Sequence, residues 1–393
     1  MTRVALLPCP SYEPAAVERA LRRGFQILGG MRRFVRPGER ILLKPNILTG
    51  AAPEKAVTTH PVVLATLGGL LREAGASVAF GDSSGIVDSR QAAAGCGLLA
   101  AGERAGLAYE DFDRGRPLAR FPVARCLPGY DGIISLPKMK THQLTRLSGA
   151  VKNLFGCIPG RLKPLMHLRH PDVLDFSRML AGLHLHLKPC LHVLDAVTVM
   201  QGNGPRNGDP RALGALLLSE DPVAADATFC RLIDLDPEHV PTCTEGARAG
   251  LGRWQAGDIE LKEGIPADFL LSDFRVIRHR VTRDGLLRYY PRLRHLLFAH
   301  PVIDPALCRR CWSARSRTRP CASRSAAPRR CSTTVAASAA GAARSPARIG
   351  PSTPPPPGWA GWQAWIAIER SPGLTNCSGR GRLPGTTCFK GGR

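Results

Sequence analysis

Residues 133–142, IISLPKMKTH, decide the reading of this chain. Ile133 to Leu136 is an apolar run of strand length, Pro137 ends it, and Lys138, Lys140, Thr141 and His142 follow at once. A run buried on both faces and released directly into polar residues is what a strand in the middle of a parallel sheet looks like. The same arrangement occurs at Ile41 to Leu43 before Lys44, Pro45 and Asn46, at Val78 to Phe80 before Asp82 and Ser83, and at Val193 and Leu194 before Asp195.

Between these runs lie helical stretches. Pro14 to Leu28 has apolar residues at helical spacing and stops at Gly29 and Gly30; Pro61 to Ala74 is closed by Gly75. Val173 to Leu187 and Pro222 to Ile233 read as further helices, and Arg3 to Leu7 and Leu213 to Leu218 as further strands. Strands alternating with helices predict an α/β fold, doubly wound or three-layer, with a mostly parallel sheet. Residues 267–279 read as a looser segment with some strand, and Pro291 to Phe298 as a helical connector.

In an open parallel sheet ligands bind beyond the carboxyl ends of the strands, so the polar groups above are expected to share one crevice. Its cations would be Lys44, Lys138, Lys140 and Lys152, with His60 and His142 titrating near neutral pH and Asn46, Ser83 and Asn153 as neutral partners. Lysine is a point charge suited to phosphate or carboxylate, and a desolvated lysine becomes a base. Lys138, Lys140 and His142 are the catalytic candidates; the competing reading of any one lysine is a solvated side chain after a strand.

Asp82 and Asp195 could hold a divalent cation or orient a base, and Asp221 with Asp226 offers a second pair. Against this, Asp221 precedes Pro222 as a helix N-cap should, and Asp82 opens a turn. Gly202, Gly204 and Gly208 form a loop able to present backbone N–H groups to an anion, or simply a tight connection. No phosphate loop with a Gly-Lys-Ser/Thr ending and no Gly-x-Gly-x-x-Gly element follows the first strand. Zinc ligand spacing is absent apart from one cysteine pair, and the histidines at 167, 170, 184, 186 and 192 are individually uninformative.

The 393 residues carry a formal charge of +23, unevenly distributed. Residues 1–312 hold 41 basic against 30 acidic side chains; residues 313–393 hold 13 against one, Glu369, in a stretch of Ala, Arg, Ser, Pro and Gly without periodicity. Such a stretch lacks the means to form a core and is expected to be disordered. Of the 13 cysteines, seven are scattered before residue 300, Cys308 and Cys311 form a close pair, and four lie in the tail. With no secretory signal and no apolar run of membrane-spanning length, a cytoplasmic location is expected, with no membrane partner.

These motifs, taken in order, resemble the DUF362 family: LLKPNI at 42–47, His60 with Pro61, EAGA at 73–76 leading to Asp82, IISLPKMKTH, GAVKNLFGCIPG at 149–160, GNGPRNG at 202–208 and SEDPVAAD at 219–226. The resemblance covers about residues 1–245 and implies a DUF362-like body over 1–265, a connector over 266–301, and a ferredoxin-like 4Fe-4S module beginning at 302–312. In that module the ligands follow C-x₂-C-x₂-C-x₃-C-P. Cys308 and Cys311 match the first two; positions 314 and 318 hold Ala314 and Thr318.

The resemblance thus implies an iron-sulfur-associated protein that binds a small anionic ligand and passes electrons to a redox partner, with the cluster module interrupted in this chain. The alternatives are a metal-assisted isomerase or lyase acting on a small carboxylate or phosphate, or a binding protein without catalysis. A reading-frame shift near codon 312 accounts for both the missing cysteines and the acid-poor tail, and removes the tail's charge as an argument for nucleic acid. Translating the coding DNA in its other two frames is expected to restore cysteines at 314 and 318 and a following proline. Absence of these from both frames would leave a genuine basic arm.

Overall fold

A computed structural model describes residues 1–281 apart from Ile86, Ala119 and Arg120. The helical connector at 291–298, Cys308, Cys311, the truncated module at 302–312 and the tail from 313 lie outside the described residues.

The strands are β1 (Thr2–Pro8), β2 (Arg40–Pro45), β3 (Ser77–Phe80), β4 (Ala108–Tyr109), β5 (Gly115–Leu118), β6 (Phe121–Ala124), β7 (Gly132–Leu136), β8 (Lys138–His142), β9 (Arg146–Ser148), β10 (Leu191–Gln201), β11 (Asp209–Ser219) and β12 (Ile259–Glu263). The helices are α1 (Pro14–Ile27), α2 (Pro61–Glu73), α3 (Ser89–Gly95), α4 (Leu98–Arg104), α5 (Ala150–Asn153), α6 (Lys163–Arg169), α7 (Val173–Leu187), α8 (Pro222–Leu232) and α9 (Pro241–Arg248). The main sheet runs β12-β1-β11-β10-β7-β2-β3-β4. Along this path it is parallel except around β11, which is antiparallel to both β1 and β10; β8 joins the sheet beside β10, and β9 pairs antiparallel with β8.

Alternate residues of each strand enter different cores, as the two-residue period of a strand requires. Ile41 and Leu43 pack with α1, α2 and α4 through Phe25, Leu64, Leu67 and Leu98. Leu42, Leu194 and Leu217 pack on the other face with Val151, Phe176, Leu180 and Phe229 of α5, α7 and α8. The described residues therefore form a three-layer α/β/α sandwich wound on both faces. Residues 266–276 contain no strand; Phe269 and Phe274 instead pack on the second core, with Phe274 edge-on to Phe229 at 6.4 Å.

Two strands are longer than their apolar runs suggest. Lys138 to His142 do not form a loop: Pro137 lacks the N–H to continue the ladder of β7, and the chain resumes beyond it as β8, beside β10. Asp195, expected at the end of a strand, lies inside β10 with Lys138 as its register partner. A charge can sit mid-strand here because its counter-charge occupies the adjacent strand.

From β2 the chain moves outward to β3 and β4 with helices on one face. It then returns to place β7 on the other side of β2, and continues to β10 with α5–α7 on the opposite face. The direction of winding reverses between β2 and β7, which is where open α/β sheets leave a crevice.

Asp226 of α8 fixes one wall of that crevice by accepting the N–H groups of Ala150 (2.6 Å) and Val151 (3.1 Å) at the start of α5. A side chain at Gly149 would put its Cβ 2.1 Å from the same carboxylate, so only glycine fits. Asp226→Ala strands two buried donors and is expected to cost about 2–4 kcal/mol in denaturant unfolding. A loss below about 1 kcal/mol would mean that α5 is held by packing alone.

Candidate functional site

The exits of β2, β3 and β7 meet at Lys44. Its side chain is fully buried because residue 44 still belongs to the sheet, paired with Ser135 of β7. The ammonium group lies 2.8 Å from Asp82 Oδ1 and donates to the Pro45 carbonyl at 2.8 Å. Asp82 Oδ2 in turn accepts the Ile47 N–H at 2.7 Å, so it does not cap a helix but ties the exit of β3 to that of β2. Asn153, at the end of α5, bridges the switch point: its Nδ2 donates to the Lys44 carbonyl (2.9 Å) and Ser135 Oγ (3.0 Å).

From there the network extends outward. Asn46 Nδ2 donates to Asn153 Oδ1 at 3.2 Å, and Lys140 Nζ donates to Asn46 Oδ1 at 2.6 Å and to the Val57 carbonyl. Gly156 closes the floor; a Cβ there would lie 1.8 Å from Asp82 Oδ1 and 2.6 Å from Lys44 Nζ.

Above this floor opens a cavity of about 340 Å³, lined by Asn46, Asp82, Ser83, His142, Ser148, Lys152, Asn153, Phe155, Gly156, Lys163 and His167. Lys152 and Lys163 flank the Phe155 ring, each with its ammonium 5.7 Å from the ring centroid. Lys163 donates to the Ser83 carbonyl, whereas no carboxylate lies within ion-pair distance of either lysine among the described residues. Burial, and then the charge of Lys163, lowers Lys152 to about 7; burial lowers Lys163 to about 8. Burial also pushes Lys140 down, helped by Lys152 and Lys138.

His142 Nδ1 accepts the N–H groups of Leu144 (3.2 Å) and Thr145 (3.4 Å), which leaves the ring proton on Nε2. Burial first, then Lys152 and Lys140, hold the ring in its neutral form. His142 is thus built as a neutral donor.

Several of the residues expected in the crevice do not line the cavity: Lys44 and Lys140 are held in the network beneath it, and three others lie elsewhere. Lys138, His60 and Asp195 form a closed cluster with Tyr12, and none of them lines the cavity. Asp195 Oδ2 lies 3.0 Å from Lys138 Nζ and accepts the His60 N–H at 2.9 Å, while its Oδ1 accepts the Tyr12 hydroxyl at 2.8 Å. Lys138 also donates to that hydroxyl at 2.6 Å. The His60 ring stacks on Tyr12 at 3.6 Å and caps α2 through Nδ1, and burial lowers it to about 4.

In the glycine loop two of the expected donors are already used, because the Gly202 N–H goes to the Arg275 carbonyl and the Gly204 N–H to the Gly202 carbonyl. Asp221 caps α8, donated to by Val223 and Ala224, and Asp226 serves α5, so those two do not act as a pair. Asp82 and Asp195 are each occupied by a lysine, an arrangement that does not fit a divalent cation. No group of three or more His, Cys, Asp or Glu side chains suited to a metal occurs among the described residues.

Lys163 and His167, both in the cavity wall, were not expected there. Their i, i+4 spacing on one helix was the available signal, since it places them on the same face.

Comparison with known proteins agrees with the motifs. The model of a family described as "Domain of unknown function (DUF362)" matches residues 41–231. A thylakoid-associated protein of Synechocystis sp. is 36% identical over 280 residues, covering 70% of this chain and 87% of that one. Among solved structures, the lactate racemase apoprotein of Thermoanaerobacterium thermosaccharolyticum aligns at TM-score 0.37 and 11% identity over 58% of this chain and 56% of that one. A Thermotoga maritima protein aligns at 0.33 and 13%, over 62% and 60% respectively.

The two kinds of lysine are expected to respond oppositely to removal. Lys44→Met leaves Asp82 buried without its counter-charge and should cost about 3–5 kcal/mol. Lys152→Met replaces a half-buried ammonium without a carboxylate partner by a side chain of similar volume and should be neutral or stabilising. Equal losses in urea unfolding for the two variants would contradict this division.

Proposed function

Because the chain belongs to the DUF362 family, a family of unknown function, its activity has to be read from the crevice, and we propose that the α/β body binds a small organic anion, a carboxylate or phosphate, in the Lys152–Lys163 cavity. One observation carries this reading: the half-buried ammonium groups of Lys152 and Lys163 line a cavity at the switch point of the sheet, and Asp82, already paired with Lys44, is the only carboxylate among its lining residues. An anion supplies the charge that the protein withholds.

The same groups suit proton transfer on that anion. A lysine near pKa 7 is divided between amine and ammonium at neutral pH, the condition for a general base. Lys152 would take a proton next to the acidic group, Lys163 would hold the anion, and the Nε2–H of His142 would donate to the oxygen on which charge develops. Isomerase or lyase chemistry of this kind is the first reading, with Lys152 rather than Lys138 or Lys140 as the base. No divalent cation is assigned, since Asp82 and Asp195 both serve lysines.

A redox association is the second reading, and it rests on Cys308 and Cys311 in their resemblance to the first two ligands of a 4Fe-4S module. If a cluster were held there it would supply one-electron transfer to a partner protein. Anaerobic reconstitution of the frame-restored chain tests it: a reducible cluster chromophore is expected, and its absence ends this reading. A cytoplasmic location stays part of the proposal; among the described residues no helix is long and apolar enough to cross a membrane.

Sulfate does not titrate between pH 6 and 9 and so isolates the protein's own ionisations. Raising the pH neutralises Lys152 first and Lys163 next, so sulfate affinity should fall by up to about tenfold per pH unit above 7. In Lys152→Gln the fall should begin only near pH 8. Calorimetry showing affinity flat across this range, or an unchanged profile in the variant, would refute the assignment.

A further inference from the structure

A second cavity, of about 200 Å³, lies against the first and shares His142 as a wall. Its other lining residues include Thr141, Gln143, Arg146, Gly202 and Asn203. Arg146 faces His142 directly across the β8–β9 pair, where opposed side chains lie side by side.

Arg146 is unusual in two independent ways. Its φ of +66° is a left-handed conformation that side chains with a Cβ rarely adopt, and it sits where β9 begins, so the backbone there is set at a cost. Its Nε is buried without a hydrogen-bond partner, and no carboxylate pairs with its guanidinium among the described residues. The neighbouring Thr141 is only 3% exposed, and its hydroxyl oxygen is also without a partner. An unpartnered guanidinium Nε and an unpartnered hydroxyl, on two residues that line one small cavity, form an incomplete hydrogen-bonding set, and a group that completes it is a planar acid. Gln143 does not complete it, since its amide donates to Asn203.

We propose that the Arg146 cavity is a second anion subsite for the same ligand, so that the ligand is a short diacid, one acidic group lying between Lys152 and Lys163 and the other on Arg146. The inference rests on the anion-binding reading of the first cavity and narrows it to a substrate class. The His142 Nε2–H, between the two subsites, faces the carbon skeleton that joins the acids. Val276 and Ile277 give the second cavity an apolar side suited to a carbon chain.

Calorimetry on the full chain tests this with sulfate, butyrate, and the diacids malonate, succinate and glutarate. At least one diacid is expected to bind tenfold or more tighter than butyrate. Arg146→Asn keeps a residue that tolerates the left-handed backbone. It should abolish that preference while leaving sulfate affinity within twofold, and Lys152→Gln should weaken sulfate and diacid alike. Arg146→Gly, which relieves the backbone, should lose the diacid preference and melt no lower than the parent. A diacid preference that survives both Arg146 variants, or no preference in the parent while sulfate binds, overturns the second subsite alone. No binding of sulfate overturns the reading beneath it as well.

Discussion

Everything in the crevice depends on one buried ion pair, Lys44 with Asp82. Two charges removed from water are tolerable only when each has the other and further hydrogen bonds besides. Here the Pro45 carbonyl serves the cation, and the Ile47 and Ser83 N–H groups serve the anion. Those partners belong to the exits of β2 and β3, so satisfying the pair fixes where the two strands release the chain. Asn153 then joins β2 to β7 across the point at which the winding reverses. The glycine at 156 follows as a steric consequence, because the pair occupies the space a side chain would need.

A second ion pair, Lys138 with Asp195, does the corresponding work one strand away and is closed over by Tyr12 and His60. With two lysines consumed in structure, the lysines left for chemistry are those without carboxylates. This separates residues of one type into two roles. Paired lysines hold strand ends, Lys152 and Lys163, lowered toward neutral pH by burial, line the cavity, and Lys140 is taken up by Asn46 and the Val57 carbonyl.

The layers of the fold were legible because strands buried on both faces appear as short, mostly apolar runs, and Ile41 to Leu43, Val78 to Phe80 and Ile133 to Leu136 are such runs. The extension of the sheet through Lys138 to His142 and past Asp195 was not, because a charged residue in a strand reads as its end unless its partner is known, and that partner is distant in sequence. For the same reason Lys138, Lys140 and Lys44 read alike: nothing local distinguishes a lysine opposite an aspartate from one held by a side-chain amide and a backbone carbonyl. Lys163 escaped notice because it opens a helix rather than following a strand, and the donors of Gly202 and Gly204 read as free because their acceptors, such as the Arg275 carbonyl, lie elsewhere in the chain or depend on the turn itself.

The proposed role of Lys152 as a half-buried cation for an anionic ligand is tested most directly by its own titration, followed by NMR of lysine labelled with ¹³C at Cε, with the Lys152→Gln variant to assign the signal. The account predicts a midpoint near 7 in the free protein, against 10.5 for an unperturbed lysine, moving upward when sulfate saturates the cavity. A midpoint near 10.5 that sulfate does not move would contradict it.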